Sequence, residues 1–551
     1  MAAIGSDAAA ADAVVVAGSA RAVTHARDGA ATSPRDAAVE WRRAWEEDFG
    51  KQWHVDLGLI ALIIFVFGAI RPLSDPDLPM HLSVGEWIVR HRAVPYVEPF
   101  AWTRAGAPYY DFAWLPQSVF YLVLDAFGHL GLRVLQGCIV LTSALSAMTL
   151  ARTARLRPSQ GLILAAMHVI VGEVFVAMLR PQSVLLIAMP LIWTGFLMIV
   201  RGERVSVAMV ILFGASAVMA NSHLFFPIAL APAALLLVYP QVRRKHAIGG
   251  VGSVLAGWVV APYSPYWLEV FRHNLGSNIL FRPPAAIAEL QPGFVTMFQP
   301  GLNALIVLVP AMIAMPWVLT GVSLTRRERL MAALFWGLGL IVFGYATRLF
   351  LIWWLLTMLP FAWAIVRLTH TTETRPPRTS IRLTGFIACV VIIVGAVAGT
   401  RREWALEGDT RDRRLPTVGA LAAEPLAKLL ETRLRHGKRA RALTTFGNGS
   451  FLTWRLPGLS ASIDSRGVFP DSVAAAEAVV LASDRGVPLG PWRSADFAIV
   501  PVRFRVAEVL DTASEWRRIA SAPGIPMSLD SVALWARKAW WEASLAPPAH
   551  P

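Results

Sequence analysis

Two aspartates separated by one proline are the part of this sequence whose residue types and spacing most directly suggest chemistry. Asp75-Pro76-Asp77 follows an apolar run that Pro72 ends, so an extended backbone would carry both carboxylates away from the end of a helix. Such a pair can bind a divalent cation, Mg or Mn, through oxygen ligands, or one member can act as general base on a hydroxyl group. A solvated turn without function is the alternative for this spacing.

Polar residues at the ends of other apolar runs form a second set of candidates. Arg180 and Arg348 each stand alone beside a long apolar run, where a guanidinium group is costly unless it pairs or reaches the interface. A guanidinium can bind a phosphate or pyrophosphate through two hydrogen bonds, and interfacial anchoring is the alternative. Asn221 and His223 suggest hydrogen bonds to a ligand or between helices, and the second is favoured for His223. Glu173, inside an apolar run, is consistent with either a function or a structural hydrogen bond.

The composition indicates which elements must hold these residues. Of the 551 residues, 51 are Lys or Arg and 37 are Asp or Glu, which is 16%, against about a quarter in soluble domains. The 347 residues from 55 to 401 contain 38 of these charges, whereas residues 1–54 contain 14 and residues 402–551 contain 36. The mean hydropathy of the chain is +0.51. The middle segment has too little polar surface for a water-soluble domain and is predicted to lie in a bilayer.

The cysteines, the net charge and the N-terminus argue against other classes of protein. Cys138 and Cys389 lie in apolar runs, so a disulfide framework, a cysteine zinc site and a redox pair are not expected. The net charge of +14 lies mainly between apolar runs, where basic residues set orientation, and we expect no nucleic-acid partner. The early apolar run at 13–17 is too short for a secretory signal. Residues 1–54 are predicted to be a disordered or amphipathic cytoplasmic tail.

Eleven apolar runs approach the roughly 20 residues needed to cross a bilayer. They lie at about 55–71, 128–151, 159–178, 183–200, 205–220, 224–239, 247–262, 301–322, 330–345, 349–366 and 383–400. One set of alternate connections holds 15 basic residues, whereas the short connections of the other set hold only Arg180 and Arg348. By the positive-inside rule the first set and the N-terminus are cytoplasmic, and residues 402–551 are extracytoplasmic.

Two of the outer connections are long, residues 72–127 and 263–300. They are too aromatic for disorder, and apolar residues at helical spacing around Trp87 and Val119 predict two amphipathic helices along the membrane surface. This topology gathers polar residues on the outer side, among them Asp75, Asp77, His81, Trp114, Arg180, Gln182, Asn221, His223, Glu289 and Arg348. We therefore expect one outer cleft that combines acids, histidines and isolated arginines.

The C-terminal segment, residues 402–551, is predicted to form a small α/β domain. Strands are expected at 441–446, 460–463, 496–501 and 528–537, a turn at 447–450, and helices around Phe451 and Trp454 and at 506–519. Asp464 and Arg466 follow a strand, and an internal ion pair is the favoured interpretation over a ligand contact.

The candidate residues also resemble a known family. Residues 75–81, Asp-Pro-Asp-Leu-Pro-Met-His, are followed by Gly85-Glu-Trp-Ile88 and Trp114-Leu115, and together they resemble the first outer loop of the GT-C superfamily of membrane glycosyltransferases. The likeness is greater to a large bacterial branch related to protein O-mannosyltransferases and aminoarabinose transferases. It covers most of residues 55–400, with further matches at Arg180-Pro-Gln182, Asn221-Ser-His223, Pro262-Tyr263 and Glu289. Pro79-Met80 and Tyr109-Tyr110 depart from the pattern, which has Trp-Trp and Pro-Trp there, and we expect an altered acceptor or donor groove.

The resemblance implies a fold and a reaction. The expected fold is an α-helical polytopic membrane protein, GT-C-like with about eleven transmembrane helices, in a bacterial plasma membrane. The expected reaction moves a sugar from a polyprenyl-phosphate donor to an acceptor glycan, lipid or protein at the outer face.

The resemblance also assigns roles to single residues. Asp75 is the expected general base, with Asp77 assisting it or holding a metal. Arg348 is the first choice for the donor phosphate, followed by Arg180 and His223. The further substrate-binding candidates are His81, Trp114, Gln182, Asn221 and Glu289. The alternative is a non-catalytic, transport or lipid-binding protein on the same scaffold, and transport is disfavoured because no internal repeat is visible.

Overall fold

The computed structural model describes residues 34–71, 73, 75, 77–176, 179–276, 326–345, 349–370, 423–434, 439–463, 494–523 and 531–544. The predicted spans at 301–322 and 383–400 lie outside these residues, as does the second outer loop after residue 276.

Helices form most of the described chain. In order they are α1 (Pro34–Phe49), α2 (Trp53–Ala69), α3 (Leu78–His91), α4 (Trp114–Thr153), α5 (Pro158–Val176), α6 (Ser183–Arg201), α7 (Val205–Ala220), α8 (Leu230–Leu235), α9 (Arg244–Val259), α10 (Trp267–Gly276), α11 (Arg326–Tyr345) and α12 (Phe350–His370). Eight of the nine predicted spans in the described ranges coincide with a helix. The run at 224–239 forms only a 3-10 turn and the short α8, where Pro227 and Pro232 remove backbone donors.

The number of membrane crossings is only partly accounted for by these helices. Among the described residues, α4 and α6 are each long and apolar enough to cross a bilayer alone. Two bent pairs raise the number to four if each pair is one span: α1 with α2, bent by 83°, and α9 with the helix that follows it, bent by 99°. The predicted count of eleven is not confirmed.

A glycine separates the two parts of α4, the predicted surface helix and the predicted span. The sequence predicts a surface helix followed by a span beginning at residue 128, and the structure breaks the helix there: Gly128 has φ +66° and ψ −160°. Glycine adopts this backbone region without the steric cost that a Cβ would add. The segment from Trp114 to the kink is therefore a separate arm that reaches the candidate site.

The helices pack around a large apolar core and also expose apolar residues. Trp193, Phe196 and Leu212 are fully buried in this core. On the outside, Phe127, Leu130 and Ile341 are 72%, 71% and 73% exposed. Large apolar side chains on the surface of several helices are typical of a bundle that faces lipid, and the protein is a membrane protein.

The bundle has two distinct ends, which α2 and α5 connect. At one end, Asp48 before α2 accepts hydrogen bonds from the backbone and side chain of Ser159 at the start of α5, and Arg157 pairs with Asp48 at 2.9 Å. At the other end, the residues after α2 and after α5 meet, because Asp75 contacts Arg180. A 17-residue helix is roughly 25 Å long, so the two ends are separated by about a membrane thickness.

The C-terminal segment is an α/β domain, as the sequence predicts. Its elements are α13 (Glu424–Leu434), β1 (Ala440–Thr444), α14 (Phe446–Arg455), β2 (Leu459–Ala461), β3 (Phe497–Pro501), α15 (Arg505–Thr512), β4 (Trp516–Ala522), β5 (Val532–Arg537) and α16 (Lys538–Ala543). The sheet order is β2-β1-β3-β5-β4, with β1 parallel to β2 and β3, and with β5 antiparallel to β3 and β4.

Two details of the predicted C-terminal domain are wrong. Residues 447–450 belong to α14 and are not a turn, because helix contacts to the sheet outweigh the low helical propensity of Gly447 and Gly449. A Cβ on Gly449 would meet the Ile463 carbonyl oxygen at 1.9 Å, so this glycine permits a close approach of α14 to the chain after β2. The helix predicted at 506–519 ends at Thr512, and β4 begins at Trp516 because pairing with β5 overrides local propensity.

The C-terminal domain docks on the first outer loop. Ala101 forms a parallel bridge with Ala461, which extends the edge of the sheet, and Trp102 Nε1 donates to the Ala442 carbonyl at 3.2 Å. Trp454 on α14 packs with Leu78 and Leu82 of α3 in one apolar cluster. The domain therefore lies at the same end of the molecule as Asp75.

Candidate functional site

Asp75 and Arg180 form a buried, two-pronged ion pair where the chain leaves α2 and enters α6. Arg180 Nε donates to Asp75 Oδ2 at 2.8 Å, and Arg180 Nη2 donates to Oδ1 at 3.1 Å. The Arg180 side chain is 13% exposed and the Asp75 side chain is 1% exposed. Asp77 Oδ2 lies 3.5 Å from the same Nη2, and its side chain is 27% exposed. One guanidinium group thus contacts both predicted carboxylates, and the Asp77 carboxylate is the more exposed of the two.

An Asx turn and the start of α3 hold the two aspartates in place. The Asp77 backbone N–H donates to Asp75 Oδ1 at 3.0 Å, which closes an Asx turn. Asp77 precedes α3, and its carbonyl accepts from the backbone N–H groups of Met80 and His81. Pro79 in the first turn has the φ that a helix start requires. The Asp77 carboxylate is therefore held at a helix N-terminus, where negative charge is favourable.

Two buried polar side chains of α4 hold the end of α2. Arg133 Nη1 donates to the Arg71 carbonyl at 3.0 Å, and Gln136 Nε2 donates to the Gly68 carbonyl at 2.9 Å. These carbonyls lie in the last turn of α2 and just after it, where a cation is favourable. Arg133 and Gln136 are not among the predicted site residues, although a charged residue inside the apolar run at 128–151 is a signal for Arg133.

His81 belongs to a polar chain that starts one helical turn after Asp77. The amide of Gln117 on α4 is oriented by its partners: its nitrogen donates to Asp111 Oδ2 and Oδ1 at 2.5 and 3.2 Å, and its oxygen accepts from His81 Nδ1 at 3.2 Å. Asp111 and Gln117 are 4% and 3% exposed. In this arrangement His81 Nδ1 is a hydrogen-bond donor, and Nε2 is the ring nitrogen that faces away from Gln117.

A glycine permits this contact between α3 and α4. A Cβ on Gly85 would lie 2.1 Å from the Gln117 carbonyl oxygen, so only glycine allows the two backbones to approach this closely. Asp111 Oδ1 also accepts from the Ala113 backbone N–H at 3.1 Å, which ties the acid to the start of α4. Asp111 and Gln117 were missed by the sequence analysis, because they lie in an aromatic stretch without a recognisable spacing.

Trp114 and Asn221 connect α4 to the end of α7. Trp114 Nε1 donates to Asn221 Oδ1 at 2.8 Å, and the Leu115 backbone N–H donates to the Asn221 carbonyl at 3.2 Å. His223 is 6% exposed, and its Nδ1 accepts from the Phe225 backbone N–H at 3.2 Å. The Asn221 contacts join two helices, whereas this His223 bond is local to the chain after α7. Gln182 is 8% exposed and directly precedes α6.

Several candidates fall outside the described part of the chain. Arg348, Glu289, Asp464 and Arg466 are not among the described residues, and the side chain of Glu173 is not described either. Of the ten predicted site residues, the other eight lie at the Asp75 end of the bundle, on the first loop or at the ends of α5, α6 and α7. The structure brings Asp75, Asp77 and Arg180 together, whereas the His81 side chain contacts Gln117.

The geometry around Asp75 does not suit a divalent cation between the two carboxylates. Asp75 Oδ1 accepts from Arg180 and from the Asp77 backbone, and Oδ2 accepts from Arg180. A cation that used these oxygens would lie against the guanidinium group, whose positive charge would repel it. Among the described residues, no group of three His, Cys, Asp or Glu side chains is placed to hold a metal.

Comparisons with solved protein structures identify the fold. No protein-family model and no curated protein sequence matches the chain. Among solved structures, the arabinofuranosyltransferase AftD from Mycobacteria matches with a TM-score of 0.52 and 15% identity over 92% of this chain. This chain spans 40% of the length of that protein.

A second group of matches comes from Archaeoglobus fulgidus. Its oligosaccharyltransferase in the apo form matches with a TM-score of 0.53 and 12% identity, over 82% of this chain and 70% of that one. The oligosaccharyltransferase AglB in complex with an inhibitory peptide and a dolichol-phosphate matches with a TM-score of 0.51 and 11% identity, with 82% and 70% covered. At these identities the likeness shows the fold alone, and that fold is the one the first-loop resemblance implies, the GT-C fold.

Proposed function

We propose that this chain is a glycosyltransferase that moves a sugar from a polyprenyl-phosphate donor to a hydroxyl group of an acceptor at the membrane surface. The observation that carries the proposal is the position of Asp77, a partly exposed carboxylate held beside Arg180 at one end of an apolar bundle. The fold supports it, because AftD is an arabinofuranosyltransferase and AglB was solved with a dolichol-phosphate.

The proposed roles follow from the hydrogen bonds of each group. Both oxygens of Asp75 accept from Arg180, so Asp75 acts by holding the guanidinium group in place. Arg180 then presents positive charge toward the donor phosphate, together with Arg348. Asp77 and His81 Nε2 are the groups that accept the proton of the attacking hydroxyl.

The lipid phosphate is the leaving group of the proposed reaction. The acceptor oxygen forms a bond to the anomeric carbon of the sugar, the bond from that carbon to the phosphate oxygen breaks, and the hydroxyl proton passes to Asp77 or His81. Negative charge grows on the phosphate as this bond breaks, so a fixed guanidinium group beside it stabilises the transition state more than the ground state.

The membrane arrangement is part of the same proposal. The Asp75 end of the bundle lies at the outer face of a bacterial plasma membrane in this arrangement. The arrangement has eleven spans, a cytoplasmic N-terminus and an extracytoplasmic C-terminal domain. The Asp48 end then faces the cytoplasm. The docking of the C-terminal domain on residues near Ala101 supports the placement of both on one side.

The test is sugar transfer by the purified full chain in lipid nanodiscs, from polyprenyl-phosphate donors that carry radiolabelled sugars, with and without EDTA. We expect transfer in both conditions, a loss of at least a hundredfold in Asp77→Asn and Arg180→Ala, and unchanged transfer in Asp125→Asn. Asp125 is an exposed acid on α4 outside the site and serves as the matched control. Equal transfer by the wild type and both site variants would exclude the assigned roles, and donor binding without any transfer would favour a lipid-binding protein.

A further inference from the structure

Four tyrosines form a contiguous aromatic cluster beside the candidate site. Tyr96 and Tyr110 of the first outer loop pack against Tyr263 and Tyr266, which follow α9. The ring centroids are 5.1 Å apart for Tyr96 and Tyr263, 6.0 Å for Tyr96 and Tyr266, 5.9 Å for Tyr110 and Tyr263, and 6.2 Å for Tyr110 and Tyr266. Half of the eight tyrosines of the chain are therefore in this one cluster.

The cluster is built on a fixed base. Tyr263 is buried, and its hydroxyl donates to the Pro95 carbonyl at 2.8 Å, while the Tyr96 hydroxyl donates to the Pro262 carbonyl at 3.3 Å. Burial and the nearby charge of Asp111 raise the pKa of Tyr263, so its hydroxyl stays protonated and keeps this bond. These two reciprocal bonds join the two loops and fix the ring planes.

The outer rim of the cluster is accessible. Tyr96 and Tyr266 are each 44% exposed, and Tyr110 and Tyr266 are stacked with an interplanar angle of 30°. Fixed tyrosine rings with accessible faces and hydroxyl groups lose little conformational entropy when a ligand binds. Such a rim offers an apolar face and hydrogen-bonding groups at the same place.

The cluster is continuous with the polar chain of the candidate site. Tyr110 is the neighbour of Asp111, whose carboxylate binds Gln117, and Gln117 in turn binds His81. His81 follows Asp77 by one helical turn, and its backbone N–H donates to the Asp77 carbonyl. One short hydrogen-bonded chain thus connects the loop that carries Tyr96 and Tyr110 to the helix that begins after Asp77.

We propose that Tyr96, Tyr110 and Tyr266 form the subsite for a sugar ring of the acceptor, which makes the acceptor a glycan. The proposal rests on the proposed glycosyl transfer. A sugar ring presents C–H groups on one face and hydroxyl groups at its rim, and it therefore fits a ring stack that combines an apolar face with phenolic hydroxyls. Tyrosines of a membrane-interface belt meet lipid head groups, whereas these rings pack on one another and bond to the facing backbone.

Saturation-transfer NMR on the full chain in nanodiscs tests the proposal, with methyl α-mannopyranoside, methyl β-galactopyranoside and methyl α-arabinofuranoside as probes at millimolar concentration. We expect saturation of the ring protons of at least one glycoside by the wild type and by Tyr266→Phe. The signal should fall at least fivefold in Tyr266→Ala and in Tyr96→Ala. Phe127→Ala, which removes a 72% exposed ring on the arm of α4, is the matched control and should keep the signal.

The outcomes separate this proposal from the proposed reaction. Asp77→Asn should retain glycoside binding while it loses transfer. Glycoside binding without any transfer in the wild type would contradict the reaction and leave the subsite in place. Absence of saturation for all three glycosides, or an equal signal in the wild type and both alanine variants, would overturn the subsite. Loss of the signal in Phe127→Ala as well would identify the tyrosine rings as part of a general membrane anchor, and it would also overturn the subsite proposal. Thermal unfolding of each variant shows that it is folded.

Discussion

At the scale of single residues, the site depends on how one guanidinium group is shared. Arg180 makes two hydrogen bonds to Asp75 and lies 3.5 Å from Asp77. Removing one partner of a buried ion pair leaves an uncompensated charge and typically costs about 3 to 5 kcal/mol. Asp75 therefore stabilises the protein as well as orienting Arg180, and this double role separates it from Asp77.

Arg180→Lys tests the shared guanidinium directly. The ammonium group of lysine retains the charge but cannot make two parallel hydrogen bonds to one carboxylate. We expect transfer activity to fall at least tenfold, with thermal stability reduced by less than in Arg180→Ala. Arg204→Lys, an exposed arginine before α7, is the matched control. Full activity in Arg180→Lys would show that charge alone is sufficient.

Asp111→Asn tests the polar chain behind His81. An asparagine can bind either end of the Gln117 amide, so the amide is no longer held with its oxygen toward His81. We expect kcat to fall about tenfold or more, with KM for the donor unchanged, because the change affects a proton acceptor and not donor binding. Steady-state kinetics measure both values. A rise in the donor KM with unchanged kcat would place Asp111 in donor binding instead.

The sequence predicted the site in part, for reasons visible in these residues. Asp75, Asp77 and Arg180 could be selected because charged groups at the ends of apolar runs are rare and costly. Their pairing could not be deduced, since 105 residues separate the partners. Asp111 and Gln117 were not found because their function depends on the close packing of α3 on α4, which no local spacing reveals.

At the scale of secondary-structure elements, α3 and α4 form the platform that aligns the site. The N-terminus of α3 holds Asp77, and the arm of α4 before Gly128 carries Trp114 and Gln117. Hydropathy predicts these helices well, because burial in lipid or in the core requires long apolar runs. It also places the start of the span at residue 128, where the kink lies, but it cannot predict the early end of α15, because pairing of β4 with β5 sets that end.

Gly85→Ala tests whether close packing of α3 on α4 matters. The new Cβ would meet backbone atoms of Gln117 at 2.1 Å, so the helices must separate. Overpacking of this kind typically costs about 1 to 3 kcal/mol, and it also displaces His81 from Gln117. We expect a lower unfolding temperature and reduced transfer. Gly58→Ala on α2, where a Cβ meets nothing within 4 Å, should leave both unchanged. Equal stability of the two variants would contradict the packing described here.

At the scale of the whole molecule, the chain has two opposite ends with different charge and different partners. At one end, Asp48 binds Arg157 and Ser159. At the other end lie the aspartate pair, the tyrosine cluster and the C-terminal domain. An enzyme that takes its donor from one leaflet needs this asymmetry, because its catalytic groups must all face that leaflet.

Cysteine labelling tests the predicted orientation. In a chain that lacks Cys138 and Cys389, Ser514→Cys in the C-terminal domain and Glu40→Cys on α1 are both exposed positions. A membrane-impermeant maleimide added to intact spheroplasts should label Ser514→Cys and leave Glu40→Cys unlabelled until the membrane is opened. The reverse pattern would place the aspartate pair in the cytoplasm.

The most direct test of the central claim, that Arg180 and Asp77 form the donor site, is a cryo-EM map of the full chain in nanodiscs with a polyprenyl phosphate. We expect density for the lipid phosphate within hydrogen-bonding distance of Arg180 and beside Asp77, with the lipid tail running along the bundle. Phosphate density at the opposite end near Arg157, with none at Arg180, would contradict the account.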